Sequence, residues 1–192
     1  MPFPPPYPAL IVLGLVALLR LWELAVSRAR LRAARAAGTA EAIPEPGYRA
    51  MVLVHLGWWL GCAAETVWRG DNWPAAVALP AGAAWLAALG LRAWMMAALG
   101  GLWNVRLVAR TGQPIVTGGP YRWVRHPNYL AVIVEIAAVP LLVGAPLTAL
   151  LGSAANAWVL RGRIAREEAY LGAFPAWRRA FAHKKRLLPG VF

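Results

Sequence analysis

Apolar positions in this chain run in long blocks rather than in the narrow stripes of a soluble amphipathic helix. Residues 9–26, 50–68 and 73–99 form three such blocks with few charges in them. At about 1.5 Å per residue, each suits the ~30 Å hydrocarbon layer of a bilayer. A fourth block, residues 127–160, has Glu135 as its only ionisable residue and is too long for one crossing. Gly144-Ala145-Pro146 divides it, which predicts a helical hairpin. The connections differ in kind. Residues 27–49 are basic, and Pro44-Glu45-Pro46-Gly47 breaks any helix there. Residues 69–72 read as a tight turn. Residues 100–125 are Gly-rich and polar, and Pro127 then suits the first turn of a new helix, where its missing N–H costs nothing. After Leu160 the pattern predicts an arginine-rich helix through Leu171, an aromatic-basic stretch and the tail Arg186-Leu187-Leu188-Pro189-Gly190. The expected fold is an all-α polytopic membrane protein with five transmembrane helices. It divides into an N-terminal three-helix region (1–99) and a core (100–192) of connection, hairpin and C-terminal helices.

Composition agrees with a lipid solvent. The apolar set makes up 60% of the 192 residues and charged residues only 15%, with eleven tryptophans. A soluble protein this apolar would expose large patches to water. The net charge of +12 raises nucleic acid as a partner, but the arginines flank apolar runs, as on the cytosolic ends of membrane helices. Among the lysines and arginines, Arg69 alone falls in a connection on the N-terminal side. The positive-inside rule therefore predicts an outside N-terminus and a cytosolic C-terminus. Residues 100–125 and the tail then share the cytosolic face. One cysteine, Cys62, excludes an intrachain disulfide, and three scattered histidines give no metal motif. Residues 1–8 lack a basic leader, so the first apolar run is expected to be retained.

Polar groups inside apolar blocks are rare and usually paired or functional. Folding the hairpin at Gly144-Ala145 puts Glu135 near the depth of Asn156, which predicts a hydrogen bond joining its arms; lining an acceptor pocket is the competing role. The same fold puts Arg163 level with His126. Asn156, Arg163 and Glu167 share one helix face, as do Asn128 and Glu135 on the preceding helix. Arg163 and Glu167 are also spaced for an i,i+4 ion pair. Arg20, Glu23 and Arg92 are expected to snorkel to the inner interface, and His55 and Glu65 to be satisfied core groups. Most tryptophans read as interfacial anchors or packing, while Trp103 and Trp123 are candidates to line a cavity.

The segment Gly119-Pro120-Tyr121-Arg122-Trp123-Val124-Arg125-His126-Pro127-Asn128-Tyr129, followed by a hairpin, Arg163, Glu167-Glu168 and the Arg-Leu-Leu-Pro-Gly tail, resembles the core of the isoprenylcysteine carboxyl methyltransferase family. The Arg20-Leu-Trp-Glu-Leu-Ala-Val-Ser-Arg run, with His55 and Glu65, is similar to a bacterial branch associated with long-chain phenols and pyrones. The resemblance implies an S-adenosylmethionine-dependent methyltransferase with a cytosolic cofactor pocket and a lipophilic acceptor entering from the bilayer. It puts cofactor contacts on Gln113, Pro114, Ile115, Val116, Tyr121, His126, Pro127, Asn128, Tyr129, Glu167 and Glu168, with Arg106 at a further contact position. Arg163 falls on the acceptor side, and His126 or His55 is the candidate base. Related membrane enzymes that methylate nitrogen or sulfur, and nicotinamide-dependent membrane reductases of similar architecture, are the alternatives. The chain lacks the Gly-x-Gly and strand–helix alternation of a soluble Rossmann methyltransferase, so a cofactor site has to be built from membrane helices.

Overall fold

A computed structural model describes residues 7–45, 47–70, 73–110, 112 and 114–188. Six helices account for most of them: α1 (Tyr7–Ala36), α2 (Tyr48–Arg69), α3 (Ala75–Leu99), α4 (Pro127–Leu142), α5 (Pro146–Leu171) and α6 (Pro175–Phe181). Three of these, α1 to α3, are long and apolar enough to cross a membrane. Their large side chains face outward, with Leu18, Leu53, Leu79 and Leu86 all exposed. In water such faces would be aggregation-prone; against lipid chains they are at home.

Two expectations change. α4 has only 16 residues, about 24 Å at helical rise, and three helices, where five were expected, qualify as spans by length and composition. α5 is one continuous 26-residue helix, so the hairpin's second arm and the arginine-rich helix are the same element. The chain is also not purely helical. A short antiparallel ribbon pairs β1 (Ala40–Ala42) with β2 (Val108–Arg110), in the register Ala40↔Arg110 and Ala42↔Val108. It ties the α1–α2 connection to the α3–α4 connection, so both lie at the same end of the bundle.

The hairpin turn is fastened at the opposite end. Gly144 has φ 81°, a left-handed conformation that favours glycine, and a Cβ there would press on the Trp73 ring at 3.3 Å. Thr66 Oγ1 donates to the Val143 carbonyl at 2.8 Å, and Trp73 Nε1 to that of Leu141. Glu65 accepts from the backbone N–H of Leu147 and Thr148, at 2.9 and 2.7 Å, and from the Thr148 hydroxyl. The carboxylate thus caps α5, whose first-turn N–H groups have no partner within the helix. Glu65 is indeed a satisfied structural group. So is His55, whose Nδ1 contacts the Met51 carbonyl at 2.8 Å.

The two expected regions pack closely through α3 against α4 and α2 against α5. The core joins Leu13 and Val16 of α1, Trp58 and Cys62 of α2, and Ile136, Val139 and Val143 at α4. Above it lies a buried ionic cluster that replaces the expected Glu135–Asn156 bond. Glu135 pairs with Arg92 and with Arg20 at 3.0 Å. Glu23 pairs with Arg20 at 2.7 Å and lies 3.6 Å from Arg92. Arg20, Glu23 and Arg92, expected to snorkel, turn to this cluster instead. Two carboxylates and two guanidiniums neutralise one another across α1, α3 and α4, the arrangement that makes buried charge tolerable.

Candidate functional site

A cleft opens where the α3–α4 connection passes over the start of α4 and the last turns of α5. It holds about 1080 Å³ of empty space, counting its open mouth. Its apolar side is Met95, Leu99 and Leu102 at the end of α3, with Leu171, Trp177 and Phe181 from the C-terminal helices. The polar wall comes from Asn104, Arg106, Tyr121, His126, Asn128, Arg163 and Glu167.

Local geometry explains how these side chains meet. The segment before α4 is a 3-10 turn over Gly119–Arg122. Gly119 has φ 57°, and a Cβ there would lie 2.7 Å from that of Ala98, so only glycine lets this turn lie against α3. His126 caps α4 and Pro127 starts it. Backbone bonds from Arg125 to Lys185 and from His126 to Arg186, each 2.9 Å, clip the C-terminal tail alongside. Lys184 Nζ donates to the Tyr121 carbonyl at 2.7 Å.

Glu167 and Glu168 divide their work. Glu167 lines the cleft and accepts from the Tyr129 hydroxyl, with its other oxygen 4.0 Å from His126 Nδ1. Glu168 lies behind the wall. It meets His126 Nε2 at 3.1 Å, Arg186 at 2.7 Å and Arg125 at 3.5 Å. Burial pushes the Glu168 carboxyl up, but hydrogen bonds from Arg186 and His126 and their charges outweigh it and hold the group below its ordinary range. Burial raises the Tyr121 phenol, and the Glu167 charge adds to this. Tyr121 therefore enters the cleft as a neutral O–H.

Of the residues singled out by resemblance, Pro114, Ile115, Val116, Tyr121, His126, Asn128, Tyr129, Arg163 and Glu167 line one cleft, and so does Arg106. Pro127 is fully buried and shapes the helix start without lining the cleft. Gln113 lies outside the described residues. His55 of α2 is not among the residues that line the cleft; it meets Met51, which Arg163 also contacts. Trp103 lines the cleft, whereas Trp123 is 49% exposed and packs edge-on against Trp94. The expected Arg163–Glu167 pair gives way to another: Arg163 Nη2 reaches Glu45 at 3.2 Å and the Val105 carbonyl at 3.0 Å. Arg163 also contacts the Met51 sulfur and the Tyr129 ring face.

Three residues were given no role by the sequence. Glu45, in the helix-breaking stretch, accepts from Leu107 N–H at 2.8 Å as well as pairing with Arg163. Ser27 of α1 donates to Asn104 Oδ1 and accepts from Val105 N–H. That leaves Asn104 Nδ2 buried without an acceptor, and Arg106 Nε is in the same state. Such orphaned donors are costly unless something completes them. The β1–β2 pairing, invisible in hydropathy, helps to bring these connections together.

Comparison with known proteins agrees with the geometry. Residues 81–173 match the isoprenylcysteine carboxyl methyltransferase (ICMT) family. The chain is also similar to the uncharacterized protein YpbQ of Bacillus subtilis (strain 168), 32% identical over 158 residues that span 82% of this chain and 93% of YpbQ. The chain belongs to the ICMT family. The match begins inside α3 and ends just after α5, so it takes in the hairpin and all of the cleft lining but Trp177 and Phe181. ICMT membership identifies a methyltransferase family, and together with the apolar helices it marks an integral membrane protein.

Proposed function

We propose that this ICMT-family chain is an S-adenosylmethionine-dependent O-methyltransferase for a lipophilic acceptor, working at the cytosolic face of a bacterial cytoplasmic membrane. The observation that carries this reading is the cleft itself. One wall offers Glu167, Asn104, Asn128 and aromatic faces, and the other is the apolar end of α3. A polar cosubstrate and a lipid-like acceptor can therefore meet at one seam.

The donor set fits S-adenosylmethionine. Asn104 Nδ2 and Arg106 Nε are buried donors lacking acceptors, suited to a carboxylate. Glu167 keeps one oxygen free of the Tyr129 bond for hydroxyl or ammonium donors. Tyr121, Tyr129 and Trp103 present faces that attract a cation, worth up to about 2 kcal/mol when desolvated. When bound, the cosubstrate supplies an electrophilic methyl group on a sulfonium. The protein's part is then alignment and exclusion of water, and orientation alone accounts for roughly 7–11 kcal/mol in favourable cases. Arg163, on the acceptor side, stabilises an oxyanion. For a hydroxyl acceptor, such as an alkylresorcinol or alkylpyrone, a proton has to leave, and His126 is the base within the cleft. A carboxylate of the isoprenylcysteine type arrives ionised and needs none.

The test is titration of the purified, detergent-solubilised protein with S-adenosylmethionine by calorimetry. Binding is expected for the wild type and its loss for Glu167→Ala and His126→Ala. Unchanged affinity in both variants would sink the site assignment. Preferential binding of NADPH would replace methyl transfer with a reductase.

A further inference from the structure

The charge balance of the cleft raises a problem for a cationic ligand. Among the described residues its wall carries Arg106, Arg110, Arg125 and Arg163, against a single carboxylate, Glu167. Uncompensated, that wall would repel a sulfonium. Two further carboxylates stand just behind it. Glu168 serves Arg125. Glu45 reaches two of the other three arginines: Arg163 at 3.2 Å and Arg106 at 3.8 Å.

Glu45 is well placed to act on charge as well as on shape. Its side chain is 5% exposed, so its field is little screened by water. One oxygen is held by the Leu107 N–H, in the connection that the β1–β2 ribbon brings alongside. Arg106 is sandwiched between this carboxylate and the ring of Tyr48, 4.9 Å from its centroid. Both guanidiniums are thereby drawn toward the α1–α2 connection.

We propose that Glu45 is a specificity-determining residue: its carboxylate offsets Arg106 and Arg163 so that the cleft holds a cationic sulfonium in preference to the neutral thioether left after methyl transfer. This rests on the S-adenosylmethionine reading above. S-Adenosylmethionine and S-adenosylhomocysteine differ by one methyl group and one positive charge, so their affinity ratio reports the electrostatics of the cleft. A loss of shape weakens both; a change in charge separates them. The preference also has a use, because it favours release of product against fresh cosubstrate.

The experiment measures both affinities by calorimetry on the full chain in lipid nanodiscs. Glu45→Gln is expected to weaken S-adenosylmethionine relative to S-adenosylhomocysteine on the order of tenfold, as expected for removing one poorly screened charge nearby. Glu45→Asp, which keeps the charge, is expected to hold the wild-type ratio. Adding Arg106→Gln to Glu45→Gln is expected to restore much of it. Should Glu45→Gln fail to fold, Arg106→Gln alone carries the test, with the ratio moving toward the sulfonium. An equal change in both affinities for Glu45→Gln, or an unmoved ratio for Arg106→Gln, overturns the proposal. A wild type that binds neither ligand is a different result: it overturns the cosubstrate reading itself, and this proposal with it.

Discussion

At the scale of single residues, the buried charges matter most to stability. Glu135 holds Arg92 and Arg20 together across three helices. Glu135→Gln leaves Glu23 as the one carboxylate facing Arg20 and Arg92 in the cluster, and removing one partner from a buried ionic group costs up to about 3–5 kcal/mol. Thermal unfolding in detergent should show a large fall in midpoint, while Glu135→Gln combined with Arg92→Gln should lose less than the sum of the single changes. Strictly additive losses would mean the cluster does not act as a unit. The sequence disclosed that Glu135 was out of place in lipid but not what it paired with. Hairpin depth pointed to Asn156, because depth is all that a linear pattern conveys. The true partners lie on α1 and α3, and which helices neighbour α4 is a property of packing. The same limit hid Glu45, whose flanking prolines suggested only a break. The motif residues from Tyr121 to Tyr129 were legible because they are contiguous, and one turn followed by one helix start brings most of them to the cleft.

At the scale of elements, hydropathy located α2 and α3 well but stopped α1 at residue 26, although the helix runs on through the basic residues to Ala36; Gly144-Ala145-Pro146 marked the turn between α4 and α5. It misjudged the far end of α5, since a change from apolar to basic residues after Leu160 marks a change of solvent, not of backbone. It also missed the ribbon, which is too short to show a period of two. Long-range capping is equally silent in a sequence. Glu65 of α2 caps α5 from 82 positions away, a role ordinarily filled by a residue adjacent to the helix. Glu65→Ala leaves the Leu147 and Thr148 N–H groups without that acceptor, at about 1–2 kcal/mol. Hydrogen exchange should accelerate at these two amides first, ahead of the middle of α5. Glu65→Gln, which keeps one acceptor oxygen, should show a smaller effect. Unaltered protection at both amides in Glu65→Ala would exclude the cap as a determinant of hairpin stability.

For the whole molecule, the open matter is how the bundle sits in the bilayer. The ribbon puts the α1–α2 and α3–α4 connections at one end, and the tail clipped to Arg125 and His126 joins them there. The hairpin turn lies at the other end, against Thr66 and Trp73, where Arg69 is the basic residue. Arg28, Arg30, Arg32, Arg35 and the tail's Lys184, Lys185 and Arg186 all belong to the first end. On this asymmetry we propose a cytosolic first end and five crossings, in which neighbouring helices and local thinning of the bilayer would accommodate the short α4. The competing arrangement is a re-entrant hairpin that never reaches the outer face. Replacing the sole cysteine, Cys62, gives a background on which single cysteines report exposure to a membrane-impermeant maleimide. Arg69→Cys and Leu147→Cys should label in intact cells, and Arg35→Cys and Lys185→Cys only after permeabilisation. Leu147 is the discriminating position, since it sits in the first turn of α5 with an exposed side chain. If Leu147→Cys stays unlabelled while Arg69→Cys reacts, the hairpin is re-entrant; if the two pairs exchange sides, the cleft faces away from the cytosol and cytosolic S-adenosylmethionine cannot be its cosubstrate.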